Sequence, residues 1–203
     1  MCVNEIMSHT YSPAILVIIM AFSFLIVPFY SSNRLSYLPE RASGLFSDLK
    51  DDFLTYEDHA LGIIIQYPAG WIKEVRLGNL VTFLPTLGSS SNTYPAALGV
   101  KVQNLHSRNV TLGTVTKVQI ENLTQNHPDF VLLESTSTTL ANKPSHKIVF
   151  TATDADGHQR RAMQVWMVNV DKAYLITYKA LPDKYSEFLP LAQRMIDSFK
   201  LRK

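Results

Sequence analysis

Asp154, Asp156 and His158 form the densest set of potential metal ligands in this sequence, within Asp154-Ala155-Asp156-Gly157-His158. Carboxylates are hard oxygen donors and imidazole adds a nitrogen, so the set could hold a weak surface cation. The spacing resembles part of an EF-hand loop, which places oxygen ligands at its first, third and fifth positions and glutamate at its twelfth. With Gly157 as the invariant glycine, the first and twelfth positions fall on Ala152 and Met163, so this is not an EF-hand. A hairpin turn accounts for the same residues. Asp156-Gly157 between alternating strands suits a type I′ turn, which needs positive φ at both central residues.

Other reactive patterns are missing or incomplete. The six histidines are His9, His59, His106, His127, His146 and His158, and none pairs at a metal-ligand spacing. Ser89-Ser90-Ser91 lies in a loop of small residues, and no G-x-S-x-G elbow occurs. Phosphate-cradling glycine motifs are also absent. Asn109-Val110-Thr111 and Asn122-Leu123-Thr124 are glycosylation sequons, the second inside a predicted helix.

The elements that must position these residues follow from periodicity. Strands are predicted at 53–57, 62–68, 80–85 and 97–105, with a small, polar, mobile loop at 85–97. A helix is predicted over 111–128, capped by Thr111 and stopped by Pro128; its Thr and Val content makes it lean on the sheet. Strands at 130–140, 145–153, 158–170 and 173–181 make an antiparallel meander, with a second hairpin turn at Asp171-Lys172. The clearest helix spans 182–200. Tyr185, Phe188, Leu189, Ala192, Met195, Ile196 and Phe199 share one stripe, Pro182 and Asp183 suit its first turn, and Pro190 should kink it or mark a restart.

Ahead of all this, Ala14 to Phe29 reads AILVIIMAFSFLIVPF, with Ser23 its only polar residue. A spanning helix needs roughly 20 apolar residues to cross about 30 Å of hydrocarbon. The run from Tyr11 to Tyr30 just qualifies, with aromatics at both ends. A cleaved signal peptide would want a basic start and a small-residue cleavage site, and residues 1–13 carry no Lys or Arg. A buried core helix would be apolar on one stripe rather than all round. An uncleaved anchor fits better than either. The chain then divides into a tail (1–12), a transmembrane anchor (13–30), a polar tether (31–52) and one domain (53–203). Arg34 and Arg41 follow the span and no Lys or Arg precedes it, which by count alone would place the domain inside.

The net charge of +2 and the short basic spots, Arg160-Arg161 and Lys200 to Lys203, argue against nucleic-acid binding. Both spots read as solvated ends. Cys2 is the single cysteine, so no internal disulfide forms, and its place before the apolar run excludes a lipobox.

Several segments carry a resemblance. GIIIQYPAGW (62–71), HKIVFTATDADGHQRRAMQVWMVNVDKAYLITYKA (146–180) and DKYSEFLPLAQRMIDSF (183–199) resemble the opening, the strand pairs and the closing helix of PsbP-like domains, the family of the extrinsic oxygen-evolving protein of photosystem II. The resemblance covers about 53–203. An aromatic on each side of a tight turn, Tyr67 and Trp71 around Pro68, would pin a strand end to the core. The resemblance implies an α+β fold, an α-β-α sandwich around a central antiparallel sheet as in the Ran-binding Mog protein, here preceded by one transmembrane helix. It also implies a non-enzymatic binding or assembly module outside the cytoplasm. Photosynthetic members reach the lumen behind a cleaved transit sequence, whereas this chain is more similar to single-span PsbP-like proteins of non-photosynthetic prokaryotes. Calcium or manganese is attached to the family without transferable ligands, so no cofactor is expected from the residues themselves.

The leading expectation is therefore a membrane-anchored module. It would hold the bilayer through residues 13–30 and present the 85–97 loop to another membrane or surface protein. The alternatives are a metal-assisted hydrolase using Asp154, Asp156 and a histidine, a photosystem II-type extrinsic protein associated with calcium, and a carrier enclosing an apolar cavity.

Overall fold

A computed structural model describes residues 52–86, 93–106 and 109–202. The anchor, the tail, nearly all of the tether and the middle of the 85–97 loop lie outside these residues. Among the described residues no helix is long and apolar enough to cross a membrane.

The chain runs β1 (Phe53–Asp58), β2 (Ile63–Pro68), β3 (Trp71–Arg76), β4 (Leu80–Pro85), β5 (Ala96–Asn104), α1 (Leu112–Asn126), β6 (Val131–Leu140), β7 (Lys143–Thr153), β8 (Gln159–Asn169), β9 (Lys172–Ala180), α2 (Tyr185–Ser198) and β10 (Lys200–Leu201). Seven strands form one antiparallel sheet in the order β3-β4-β5-β9-β8-β7-β6, and β1-β2-β10 form a second, smaller one. The meander from β6 to β9 is as expected from the sequence. Strand β5 then pairs with β9, Ala96 opposite Ala180 through Asn104 opposite Lys172, and closes the two halves into one layer.

Side chains alternate across a strand, so β7, β8 and β9 each feed two cores. Ile148, Phe150, Ala152, Ala162, Trp166 and Leu175 pack under α1 with Val115, Val118 and Leu123. Val149, Met163, Val165, Met167, Tyr174, Ile176 and Tyr178 face the other way, onto α2 and the small sheet. One helix thus covers each face, which is the layered α+β architecture expected. Thr111 caps α1 as predicted, its hydroxyl accepting from the Thr114 amide at 3.1 Å. Trp166 Nε1 donates to Thr116 Oγ1 at 3.0 Å and ties the helix to β8. Tyr178 donates its hydroxyl to the Tyr185 carbonyl at 2.6 Å and fixes the start of α2.

The structure corrects several local expectations. Strand β3 is not foreseen, because Lys73, Glu74 and Arg76 obscure its alternation; among the described residues it is an edge strand that pairs only with β4. The C-terminal basic residues are not a fringe: Lys200 and Leu201 pair with Ile64 and Ile63, and the Arg202 amide donates to the Gly62 carbonyl at 2.9 Å. Pro182 and Asp183 form a turn ahead of α2, where the Lys184 amide donates to the Leu181 carbonyl at 2.9 Å. Pro190 lies inside one uninterrupted helix, so no restart occurs there.

Turn chemistry also moves. The type I′ pattern sits at Ala141-Asn142 (φ 49° and 59°) between β6 and β7, not at Asp156-Gly157, where only Gly157 is left-handed (φ 78°). The β8–β9 turn is Val170-Asp171, one residue earlier than predicted, with Val170 at φ 59°. A β-branched residue in the left-handed region is strained by about 1–2 kcal/mol. Val170 is exposed, so packing gives no reason to keep it. Val170→Asn is therefore expected to raise the melting temperature of the full chain by a few degrees, at about 2–4 °C per kcal/mol. A thermal scan by circular dichroism in detergent checks this, and an unchanged or lower midpoint would refute the strain argument.

Candidate functional site

Asp154, Asp156 and His158 lie in the β7–β8 hairpin, and the loop folds around the Asp154 carboxylate. Oδ1 accepts from the amides of Asp156 and His158, both at 3.1 Å. Oδ2 accepts from Arg160 Nε at 2.8 Å and lies 3.7 Å from Lys179 Nζ. Side-chain exposure is 2% for Asp154 and Arg160 and 4% for Lys179. Arg160 also donates through Nη1 to the Tyr94 carbonyl at 2.9 Å, which fastens the segment leading into β5 to the sheet. Strand pairing sets Arg160 opposite Ala152 and Lys179 opposite Ala162, so the cluster shares the face that α1 covers.

Burial disfavours the Asp154 carboxylate, yet Arg160, Lys179 and the His158 amide together hold its pKa below the ordinary carboxylate value. Burial pushes the Lys179 ammonium below the ordinary lysine value, against the pull of Asp154. One carboxylate therefore answers two buried cations, and a further cation would meet repulsion there. Asp156 is exposed, and His158 Nε2 is 3.4 Å from Thr93 Oγ1. The three expected ligands do not converge on one point. Among the described residues no group of three or more His, Cys, Asp or Glu is placed to hold a metal ion. The other described histidines are dispersed: His146 accepts or donates at 2.9 Å to Ser135 beneath Trp166, and His127 lies 3.2 Å from the Thr153 carbonyl. Of the two sequons, Asn122 is buried in α1 and Asn109 is exposed.

A larger feature lies on the opposite face. A groove of about 870 Å³ opens between the β6–β7 hairpin, the C-terminal half of α2 and the β10 segment. Met163, Val165, Ile196 and Phe199 supply apolar lining. Thr138, Thr139, Asn142, Asn169 and Gln193 add hydroxyls and amides, and Lys143, Lys147, Lys200 and Arg202 bring four cations against the single carboxylate of Asp197. Lys147 is paired with Glu134 at 2.7 Å and Arg202 with Glu57 at 2.6 Å. Ala141 and Asn142, the left-handed pair of the β6–β7 turn, both line it. This is not the enclosed apolar cavity of a small-ligand carrier, because the lining is mixed.

Sequence reasoning missed the groove. Its cations come from β7 and the chain end, and the one visible signal, the basic run from Lys200, reads in isolation as a solvated terminus. The turn aromatics were legible: Tyr67 stacks on Phe83 with centroids 4.8 Å apart, and Trp71 meets Phe188 edge-on at 6.1 Å.

A family model described as PsbP-like protein matches residues 15–201. The match starts earlier than the resemblance read from the sequence and takes in most of the apolar run. No curated protein matches the chain. Among solved structures, the cyanobacterial PsbP of Synechocystis superposes with a TM-score of 0.54 at 16% identity, covering 73% of this chain and 92% of its own. LpqN of Mycobacterium tuberculosis, described as involved in cell envelope biogenesis, gives 0.52 at 15% identity, covering 78% and 97%. The Ran-binding protein Mog1p of Saccharomyces cerevisiae gives 0.51 at 11% identity, covering 74% and 95%. At these identities the likeness is one of fold.

Proposed function

We propose that this chain, which belongs to the PsbP-like protein family, is a membrane-anchored, non-enzymatic binding or assembly module whose domain stands outside the cytoplasm. The observation that carries the reading is the groove on the α2 face, large enough for a short segment of another molecule and lined by four cations, five neutral polar groups and an apolar floor. Its walls are a strand hairpin and a helix end, rigid elements suited to present a surface rather than to close over a substrate. The partner is another membrane or surface protein. The anchor is residues 13–30, whose length and all-round apolar character suit a span. The hydrolytic alternative draws no support from Asp154, whose oxygens are already taken by two cations and two amides.

Fractionation of cells expressing the full chain tests this. The intact protein is expected in the membrane pellet after an alkaline carbonate wash. Protease added to spheroplasts is expected to digest the domain, and mild detergent should release it within a species heavier than its 22.9 kDa monomer. Full-length protein in the soluble fraction, protection from external protease, or release only as a monomer would each overturn the corresponding part of the reading.

A further inference from the structure

We propose that the groove reads an extended, acidic peptide segment of the partner, with Lys143 and Lys200 as the residues that select its charge. This rests on the binding-module reading above. Four cations line the groove against one carboxylate. Two of the four are already answered, Lys147 by Glu134 and Arg202 by Glu57. Lys143 and Lys200 are exposed and carry no ion pair among the described residues, so they hold the uncompensated positive charge. Asp197, the one acidic group in the lining, accepts at 2.8 Å from the neutral Gln193 amide on its own helix and keeps its charge, so the two unpaired lysines outnumber it and leave the lining positive.

The arrangement of the charge favours a peptide over a single phosphate or headgroup. Lys143 and Lys147 both lie on β7, four residues apart, and antiparallel rise separates them by about 13 Å. Lys200 and Arg202 line the facing wall. Cationic charge is therefore strung along the groove instead of gathered at one point. An extended chain repeats its side chains on one face every ~7 Å, so separate acidic side chains would meet the two unpaired cations, Lys143 and Lys200, with the paired Lys147 and Arg202 adding weaker attraction. The intervening side chains would rest on Met163, Val165, Ile196 and Phe199, and main-chain groups would face Thr138, Thr139 and Asn142. Charge of one sign on a rim selects partners and speeds encounter more than it adds affinity.

The test uses the full chain in phosphatidylcholine nanodiscs and a fluorescein-labelled hexapeptide alternating glutamate and valine, read by anisotropy against empty discs. Saturable binding is expected, weakened by salt and absent for the matching lysine–valine peptide. Lys143→Glu combined with Lys200→Glu should weaken it about tenfold. The melting temperature should stay nearly unchanged, because both residues are exposed. No binding of the acidic peptide, or binding indifferent to the double reversal, overturns the proposal. So does a short-chain phosphatidylglycerol that binds in a Lys143- and Lys200-dependent way where the peptide does not, which would make the site a lipid site. If the heavier native species survives in the double variant while the peptide never binds, the charge-reading claim fails and the module reading stands. If wild-type protein forms no such species, the module reading itself fails.

Discussion

Asp154→Ala is expected to destabilise the domain by about 3–5 kcal/mol, because it leaves two buried cations without their shared anion. Arg160 and Lys179 are nearly inaccessible, so neither can turn to solvent cheaply. The substitution also orphans the amides of Asp156 and His158, which lose their common acceptor. On the scale of about 2–4 °C per kcal/mol for a chain this size, the melting temperature should fall by on the order of 10 °C. Asp156→Ala, two residues on and exposed, should stay within about 0.5 kcal/mol. Parallel urea melts of the two variants decide the matter, and equal effects would mean the cluster does not hold the hairpin. The pH dependence follows with a definite sign. The folded carboxyl titrates below its ordinary value of 3.8, so its contribution is fully present above that value and is lost as pH falls through the depressed one. Wild-type stability should therefore drop below about pH 4, and Asp154→Asn should be less stable at pH 7 but flatter through the acid range.

Trp166→Ala should cost a similar amount, about 3–5 kcal/mol, for a different reason. The indole is fully buried beneath α1, beside the His146 ring with centroids 5.3 Å apart, and removing it leaves a cavity that the sheet cannot collapse to fill. The helix above it carries Gly113, Thr114, Val115, Thr116 and Val118 in its first half, all poor helix formers, so it depends on this packing more than α2 does. Trp166→Phe keeps most of the volume and loses the bond to Thr116, for about 1 kcal/mol. Hydrogen exchange gives the sharper readout: in the alanine variant, α1 amides should lose protection before those of α2 and the central strands. Simultaneous loss everywhere would show that α1 is not separately held by the indole.

The two substitutions probe the α1 face, and the groove lies on the other. That separation explains why the most conspicuous polar motif is structural here. Asp-Ala-Asp-Gly-His looks ligand-like because a loop that must wrap a carboxylate and a loop that must wrap a cation use the same short polar residues. The difference is what faces the carboxylate, and Lys179, two strands away from β7, is not adjacent in sequence. The same holds for turn type. Asp156-Gly157 was the better sequence match to type I′, yet the pairing of Leu140 with Lys143 forces that geometry on Ala141-Asn142 instead.

What the sequence alone determined was local and periodic. The Ile-rich run before Tyr67-Pro68, the four-strand meander, the Thr111 cap and the stripe from Tyr185 to Phe199 all depend on residues a few positions apart, and all recur in the structure. The apolar run from Ala14 to Phe29 was equally plain as composition within one segment, and its crossing of a bilayer belongs to the proposal above. Tertiary structure alone decided that β5 pairs with β9, that Lys200-Leu201 adds a strand to β2, and that Lys143 and Lys147 come to face Arg202 across an open groove. Those outcomes turn on register between distant strands, where a slip of one residue moves every side chain to the opposite face. No window along the chain contains that information, because the free energy that sets it is released only when both faces of the sheet are buried at once.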